Sequence, residues 1–170
     1  KRKDGTVIWL EDHGRYVFTE QYGYVYYVFV KEINSTRHEE RLKVLVADDQ
    51  EMNRKLLAFT LEGYYDIEEA DSGRQTIEML TQNPDRYAML LLDLVMPEVD
   101  GFQVLEFLNK RRAEFHLPVI VISADTSVDS INRAFYLGAL DVVSRPYKPE
   151  TIRMRVRNCI ELFMRKNNGI

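Results

Sequence analysis

A chain of 170 residues has room for one domain and an appendage. Its 45% hydrophobic and 29% charged residues match an ordinary soluble protein, and a net charge of −4 excludes a general nucleic-acid or membrane-surface binder. No apolar run approaches the roughly 20 residues that span a bilayer, and no apolar segment of a signal peptide follows Lys1-Arg2-Lys3-Asp4-Gly5.

The single cysteine, Cys159, leaves no internal disulfide and points to a cytoplasmic setting. The chain opens without Met and in the middle of a pattern, so it is read as a piece of something longer. Residues 1–33 are β-branched and aromatic in three runs: Thr6–Leu10, Tyr16–Thr19 and Tyr24–Val30. Asp12-His13-Gly14 and Glu20-Gln21-Tyr22-Gly23 separate them with turn chemistry. The expectation is a three-strand antiparallel β-meander. Three strands alone do not bury so much apolar surface, and their edges invite pairing, so a homodimer through this meander is expected. Asn34 to Arg41 is polar and reads as a linker or a short helix, with Ser35 or Thr36 as N-cap and Glu39 as the capping-box acid.

From Leu42 the pattern alternates. Strands are expected at Leu42–Ala47, Tyr65–Ala70, Ala88–Asp93, Leu117–Ser123 and Leu140–Ser144. Helices are expected at Asn53–Glu62, Gly73–Gln82, Phe102–Arg112, Val128–Leu137 and from Pro149 onward. Leu56, Leu57 and Leu61, then Ile77 and Leu80, then Val104, Leu105 and Leu108, then Ile152, Val156, Ile160 and Phe163 supply the inward faces. Five strands alternating with five helices predict an α/β fold with a doubly wound, five-stranded parallel sheet. The domain reading is therefore 1–33, a linker at 34–41, and 42–170.

The run Met89-Leu90-Leu91-Leu92 ends abruptly in Asp93. A short, wholly apolar run reads as a strand buried on both faces. Its carboxyl end is where open α/β sheets place their sites. All strand ends of a parallel sheet share one rim. Asp48 and Asp49, Asp93, Ser123 and Arg145 therefore converge there. Three anions together repel, each pair by roughly 1 kcal/mol in water and about 4 at intermediate dielectric for a ~4 Å separation. A divalent cation resolves this, and hard oxygen ligands suit Mg²⁺. The cation also lets a phosphoryl donor approach a carboxylate. Asp93 is then the nucleophile that forms an acyl phosphate, with Ser123 donating to one phosphoryl oxygen and Arg145 neutralising another.

These motifs resemble a response-regulator receiver domain of the flavodoxin-like class. The resemblance runs from Leu42 to about Lys166 and rests on Asp48-Asp49, on Asp93 through Gly101, on Ser123-Ala124 and on Gly138-Ala139. The spacings agree too: 44 residues from Asp49 to Asp93 and 30 from Asp93 to Ser123. The resemblance implies phosphorylation of Asp93 by a histidine kinase or a histidine phosphotransfer protein. It implies direct Mg²⁺ ligation by Asp49 and Asp93, contact from Asp48 through water, and a ligand in the backbone carbonyl of Val95. Ser123, Ala124 and Arg145 form the phosphoryl-binding switch, and no further catalytic residue is implied. Gln50-Glu51-Met52-Asn53-Arg54 resembles receivers of hybrid kinases, whose first helix docks the donor.

Two positions depart from the family. Arg145 stands where the family has lysine, with Lys148 as a rival three residues later. Arginine keeps the charge but is planar and forked, so the exchange is not conservative. Val142 stands where the family often has an aromatic residue. The segment from Asp4-Gly5-Thr6 to Ile33 resembles the C-terminal end of a PAS sensor domain, without its ligand-cradling half. Rival readings are a phosphorylation-deficient pseudo-receiver acting as a dimerising module, and an aspartyl-phosphate hydrolase. The hydrolase signature has a second acid two residues after the nucleophile, where this chain has Val95. A flavin or nucleotide site lacks its phosphate loop. Asp100 is expected to shape its loop, Asp125 to cap the next helix, and His13, His38 and His116 to lie at the surface.

Overall fold

The apolar runs become strands. The computed structural model describes residues 9–19, 23–33 and 41–167, the first two segments and 166–167 as backbone. The chain divides into two compact units, Lys1–Glu40 and Arg41–Ile170.

In the first unit, β1 (Trp9–Thr19) pairs antiparallel with β2 (Gly23–Ile33). This corrects the expected three-strand meander to a hairpin of two 11-residue strands. Asp12, His13 and Gly14 stay in the ladder, opposite Val30, Phe29 and Val28. Turn-favouring residues lose to continuous cross-strand pairing when the partner strand extends past them. The expected strand start at Thr6–Ile8, the turn Glu20–Tyr22 and the linker residues Asn34–Glu40 lie outside the described residues.

The second unit holds β3 (Lys43–Ala47), α1 (Glu51–Leu61), β4 (Asp66–Ala70), α2 (Gly73–Gln82), β5 (Met89–Leu92), α3 (Gly101–Lys110), β6 (Val119–Ser123), α4 (Val128–Tyr136), β7 (Asp141–Ser144) and α5 (Pro149–Asn167). The five strands form one parallel sheet in the order β4-β3-β5-β6-β7. The chain winds outward from β3 to one edge and then crosses back to the other, which gives the doubly wound sheet. Strand alternation sorts the core into two layers. Leu45, Leu90, Leu92 and Val121 face α2, α3 and α4 through Leu80, Val104, Leu105, Leu108 and Ala134. Val44, Val46, Met89, Leu91, Ile120 and Ile122 face α1 and α5 through Leu57, Leu61, Ile152, Val156 and Ile160. All four residues of β5 are fully buried, as the centre of a two-sided sheet requires. Leu56 is 48% exposed, against expectation. The inward stripe of α1 runs through Leu57, Thr60 and Leu61, and Leu56 falls off it by one helical step.

Helix starts follow their local chemistry. Ser72 caps α2, Ser127 caps α4, and Asp100 forms a capping box with Gln103 at α3. Asp125 supports the α4 start, accepting from the Ser127 N–H and the Ser130 hydroxyl. Gly63 and Gly138, both at positive φ, turn the chain after α1 and α4.

Edge strand β4 carries Glu68, which accepts from Tyr87 Oη at 2.6 Å, Lys43 Nζ at 3.3 Å and the Arg86 guanidinium. The Arg86 hydrogen bonds hold its carboxyl down at about 2, against the smaller opposing effect of burial. A depressed folded pKa means stability that is complete above the unfolded value near 4.3 and lost as pH falls toward 2. The pair is solvent-accessible, so screening reduces the gain. We expect Glu68→Gln to lower stability by about 1 kcal/mol at pH 7. Urea titrations should show the two proteins converging toward pH 2; a constant gap across that range contradicts the assignment.

Candidate functional site

Ladder hydrogen bonds carry the polar residues to one rim. The Asp48 N–H donates to Ala70 O at 3.2 Å, the Asp93 N–H to Ala47 O at 2.8 Å, and the Arg145 N–H to Ser123 O at 2.9 Å. Asp48 thus continues β3, Asp93 continues β5, Ser123 ends β6 and Arg145 follows β7. One carboxylate oxygen from each of Asp48, Asp49 and Asp93 lies within 4.8 Å of the other two. Asp48 and Ser123 are fully buried, Asp93 is 4% exposed, and Asp49 is the accessible member.

Arg145 enters this cluster with both arms. Its Nη1 donates to Asp93 Oδ1 at 3.1 Å, and its Nη2 donates to Asp48 Oδ2. Lys148 is exposed, and its carbonyl accepts the Thr151 N–H at the start of α5. The rim cation is Arg145. A cis peptide bond joins Arg145 to Pro146.

The other oxygen of Asp48 accepts from the Gln50 N–H at 2.8 Å and from Asn53 Nδ2 at 3.1 Å. Arg54 donates through Nη1 to the carbonyls of Asp48 at 2.8 Å and Asp49 at 3.3 Å, and is itself held by Glu69. Asn53 and Arg54 therefore fix the acid pair, a task the sequence did not assign to them. The available signal was their place in the first turn of the helix that leaves the rim.

Asp93 feels all of this. Burial pushes its carboxyl up to about 6; Arg145 opposes the rise, Asp48 adds to it, the Val95 N–H opposes it and Asp49 adds a little. Val95 lies two residues beyond Asp93, 65% exposed, and its backbone N–H is the group that meets the Asp93 carboxylate. Ser123 Oγ accepts the Asp125 N–H at 3.1 Å, which leaves its proton free to donate. Ala124, beside it, is exposed. Val142 is half-buried against the α2–α4 layer and Tyr147 against the α1–α5 layer. Cys159 is half-buried, and burial pushes its thiol up. His116 is exposed, His38 lies outside the described residues, and His13 sits in β1.

The donor set suits Mg²⁺. It offers carboxylate oxygens, and Asp49 Oδ1 is buried without a hydrogen-bond partner. Three carboxylates and one guanidinium leave a local charge near −2, which one divalent cation balances.

A doubly wound parallel sheet with an acid triad, a hydroxyl and a cation at its carboxyl rim defines a phosphoacceptor-type signalling architecture. The chain belongs to the response regulator receiver domain family, whose model matches residues 44–157. The match does not extend to the N-terminal hairpin. The chain is 34% identical over 116 residues to the transcriptional regulatory protein SrrA of Staphylococcus aureus, covering 68% of this chain and 46% of that one. It thus spans about half the length of the curated relatives it matches. Among solved structures, the Francisella response regulator 1452 receiver domain is 26% identical, with a TM-score of 0.64 over 71% of this chain and 97% of that one. A response regulator receiver domain protein from Clostridium thermocellum, at 24% identity, has a TM-score of 0.66 over 76% and 99% of the two chains and shares the fold. The chain is a receiver domain of two-component signalling. No helix among the described residues is long and apolar enough to cross a membrane.

Proposed function

We propose that Asp93 accepts a phosphoryl group from a phosphohistidine of a histidine kinase or histidine phosphotransfer protein, in a reaction that requires Mg²⁺. The observation that carries this reading is the convergence of Asp48, Asp49, Asp93 and the Arg145 fork at one rim. An Asp93 oxygen attacks phosphorus and forms the O–P bond. The P–N bond breaks, its electron pair returns to the donor imidazole, and that nitrogen takes a proton from solvent. The cation supplies charge compensation for the attacking and transferring oxygens. Asp49 and Asp93 would hold it directly, Asp48 would act through water, and the Val95 carbonyl would complete the protein ligands. Ser123 donates its free hydroxyl proton to one phosphoryl oxygen, and Arg145 pairs with another. Ala124 is small enough to leave that approach open. In this reading the domain's chemistry is limited to taking up and losing its own phosphoryl group.

The exposed Val95 puts an apolar side chain where a hydrolase needs its second acid, which favours the acceptor over the hydrolase. Mass spectrometry after incubation with acetyl phosphate and Mg²⁺ tests the proposal. One phosphoryl group on Asp93, lost in Asp93→Asn, is expected. Undiminished labelling of the variant contradicts it, and no labelling of either protein favours the pseudo-receiver.

The domain boundaries we propose are those read from the sequence: 1–33, a linker at 34–41, and the receiver at 42–170. A two-stranded ribbon is marginal on its own, which supports self-association through residues 1–33. Sedimentation at increasing concentration checks it, a concentration-independent monomer being the contrary result. A cytoplasmic setting accords with a phosphohistidine donor and a lone, half-buried Cys159.

A further inference from the structure

We propose that the cavity at the amino-terminal edge of the sheet, between the ends of α3 and α5, binds a small apolar monocarboxylate whose carboxylate pairs with Arg112 at the mouth. The inference does not depend on the phosphoacceptor reading, because the acid cluster lies at the opposite ends of the same strands.

Element lengths open the cavity. β7 has four residues, and its register with β6 begins at Asp141 opposite Ile120. Val119, the first residue of β6, lies beyond that register, and its carbonyl accepts the Leu140 N–H at 2.8 Å. α5 packs back along the sheet for 19 residues. It spans about 28 Å, against about 13 Å for β7, and so overruns the strand. The gap that results holds about 500 Å³, a volume typical of small-molecule sites. Leu105, Leu108, Phe115 and Val119 form its buried floor, and Leu137 and Phe163 its half-buried sides.

Charge selects the occupant. Among the described residues no acid lines the cavity, and its polar side chains are those of Asn109, Arg112, His116 and Cys159. The turn after α3, closed by the Glu114 and Phe115 N–H groups on Arg111 O at 2.9 and 3.1 Å, brings Arg112 and His116 to the mouth. Neighbouring cations are occupied. Arg111 pairs with Glu114 at 3.8 Å and lies over the Phe107 ring, and Arg133 pairs with Glu106 at 3.0 Å. Arg112 makes no ion pair and no side-chain hydrogen bond among the described residues, yet its head group is placed. A Cβ at Gly138 would lie 3.0 Å from Arg112 Nη2, so the guanidinium rests on the bare turn between α4 and β7. One unpaired cation matches one negative charge. A planar carboxylate accepts two parallel N–H bonds from a guanidinium, and the Asn109 amide and His116 imidazole supply further polar contacts while the apolar body covers the floor. A dianion such as a phosphate ester would bring a second, uncompensated charge against apolar walls, and an amine would meet like charge.

The test is titration of the whole 170-residue chain with octanoate, octanol and octylamine at pH 7.5, followed by the methyl nuclear magnetic resonance signals of Leu105, Leu108 and Leu137. Octanoate should shift them saturably, and octanol should bind about tenfold more weakly. Arg112→Gln, checked for folding by its urea midpoint, should lose about tenfold in octanoate affinity and keep the parent's affinity for octanol. In the parent, bound octanoate should slow iodoacetamide modification of Cys159 in the cavity wall, a readout that needs no variant. Four results each overturn the assignment: octanol or octylamine binding as tightly as octanoate, unchanged octanoate affinity in Arg112→Gln, unslowed modification of Cys159 in the saturated parent, or no saturable shift with octanoate at millimolar concentration.

Discussion

Metal-free Asp93→Asn should unfold at a higher urea concentration than the parent at pH 7.5, and the difference should disappear near pH 4. Asp93 has its carboxyl raised from 3.8 to about 6 in the folded chain, chiefly by burial. The unfolded chain therefore releases this proton first as pH rises. Between about pH 4 and 6 the folded state binds more protons than the unfolded state, so stability falls across that window. Below it both states are protonated and the carboxyl has no net effect. Above it the destabilisation is complete, at most about 3 kcal/mol for a shift of roughly two pH units. Asparagine removes the charge and keeps the shape. It also loses the ionic part of the Arg145 contact, an attraction already contained in the raised value. A gain of about 1–3 kcal/mol at pH 7.5 is the expectation. Saturating Mg²⁺ should close the gap from the other side, because a ligand bound only by the folded parent stabilises it by mass action. A variant less stable than the parent at pH 7.5 without metal would mean that the Arg145 fork outweighs burial and repulsion together.

That balance explains why some of the site was legible beforehand. An apolar run ending in Asp93 is a local signal, and a parallel sheet converts strand ends into a shared rim. The positions of Asp48, Asp49, Ser123 and Arg145 follow from topology alone. What the Arg145 head group touches does not. Its second arm reaches Asp48, 97 residues away in sequence, and only the assembled rim brings them together. What Asn53 and Arg54 hold is not readable from the helix pattern, because periodicity weighs apolar positions and is silent on polar ones. The misplaced Leu56 shows the opposite weakness: a leucine one step off the buried stripe scores as core in a short window. The hairpin was missed for a different reason. Asp12-His13-Gly14 is a competent turn by itself, and the pairing that straightens it lies on a strand more than ten residues later.

Gly101 ends the run from Asp93 that carries the resemblance, and the structure gives it a packing task. It opens α3 directly after the Asp100 cap, and its N–H donates to Leu94 O at 3.0 Å. A Cβ built there would sit 2.2 Å from Asp93 O, 2.7 Å from Leu94 Cα and 3.0 Å from Asp93 C. These are backbone atoms at the end of the central strand, so no side chain can rotate out of the way. Gly101→Ala gains up to about 1 kcal/mol of helix propensity and meets an overpacking cost of about 3 kcal/mol. Overpacking wins, and the variant should lose about 2 kcal/mol in urea titration. The displaced backbone is that of the acceptor residue, so phosphorylation should slow more than the stability loss explains. Gly73→Ala supplies the comparison. Its Cβ would lie 2.1 Å from Val99 O, an equally rigid clash that involves no atom of Asp93. Both variants should be destabilised to a similar degree, and under conditions where both remain folded only Gly101→Ala should label about tenfold more slowly, the penalty of misplacing a reacting group by a fraction of an ångström. Equal labelling of the two folded variants would show that the first turn of α3 stabilises the domain without positioning its carboxylate.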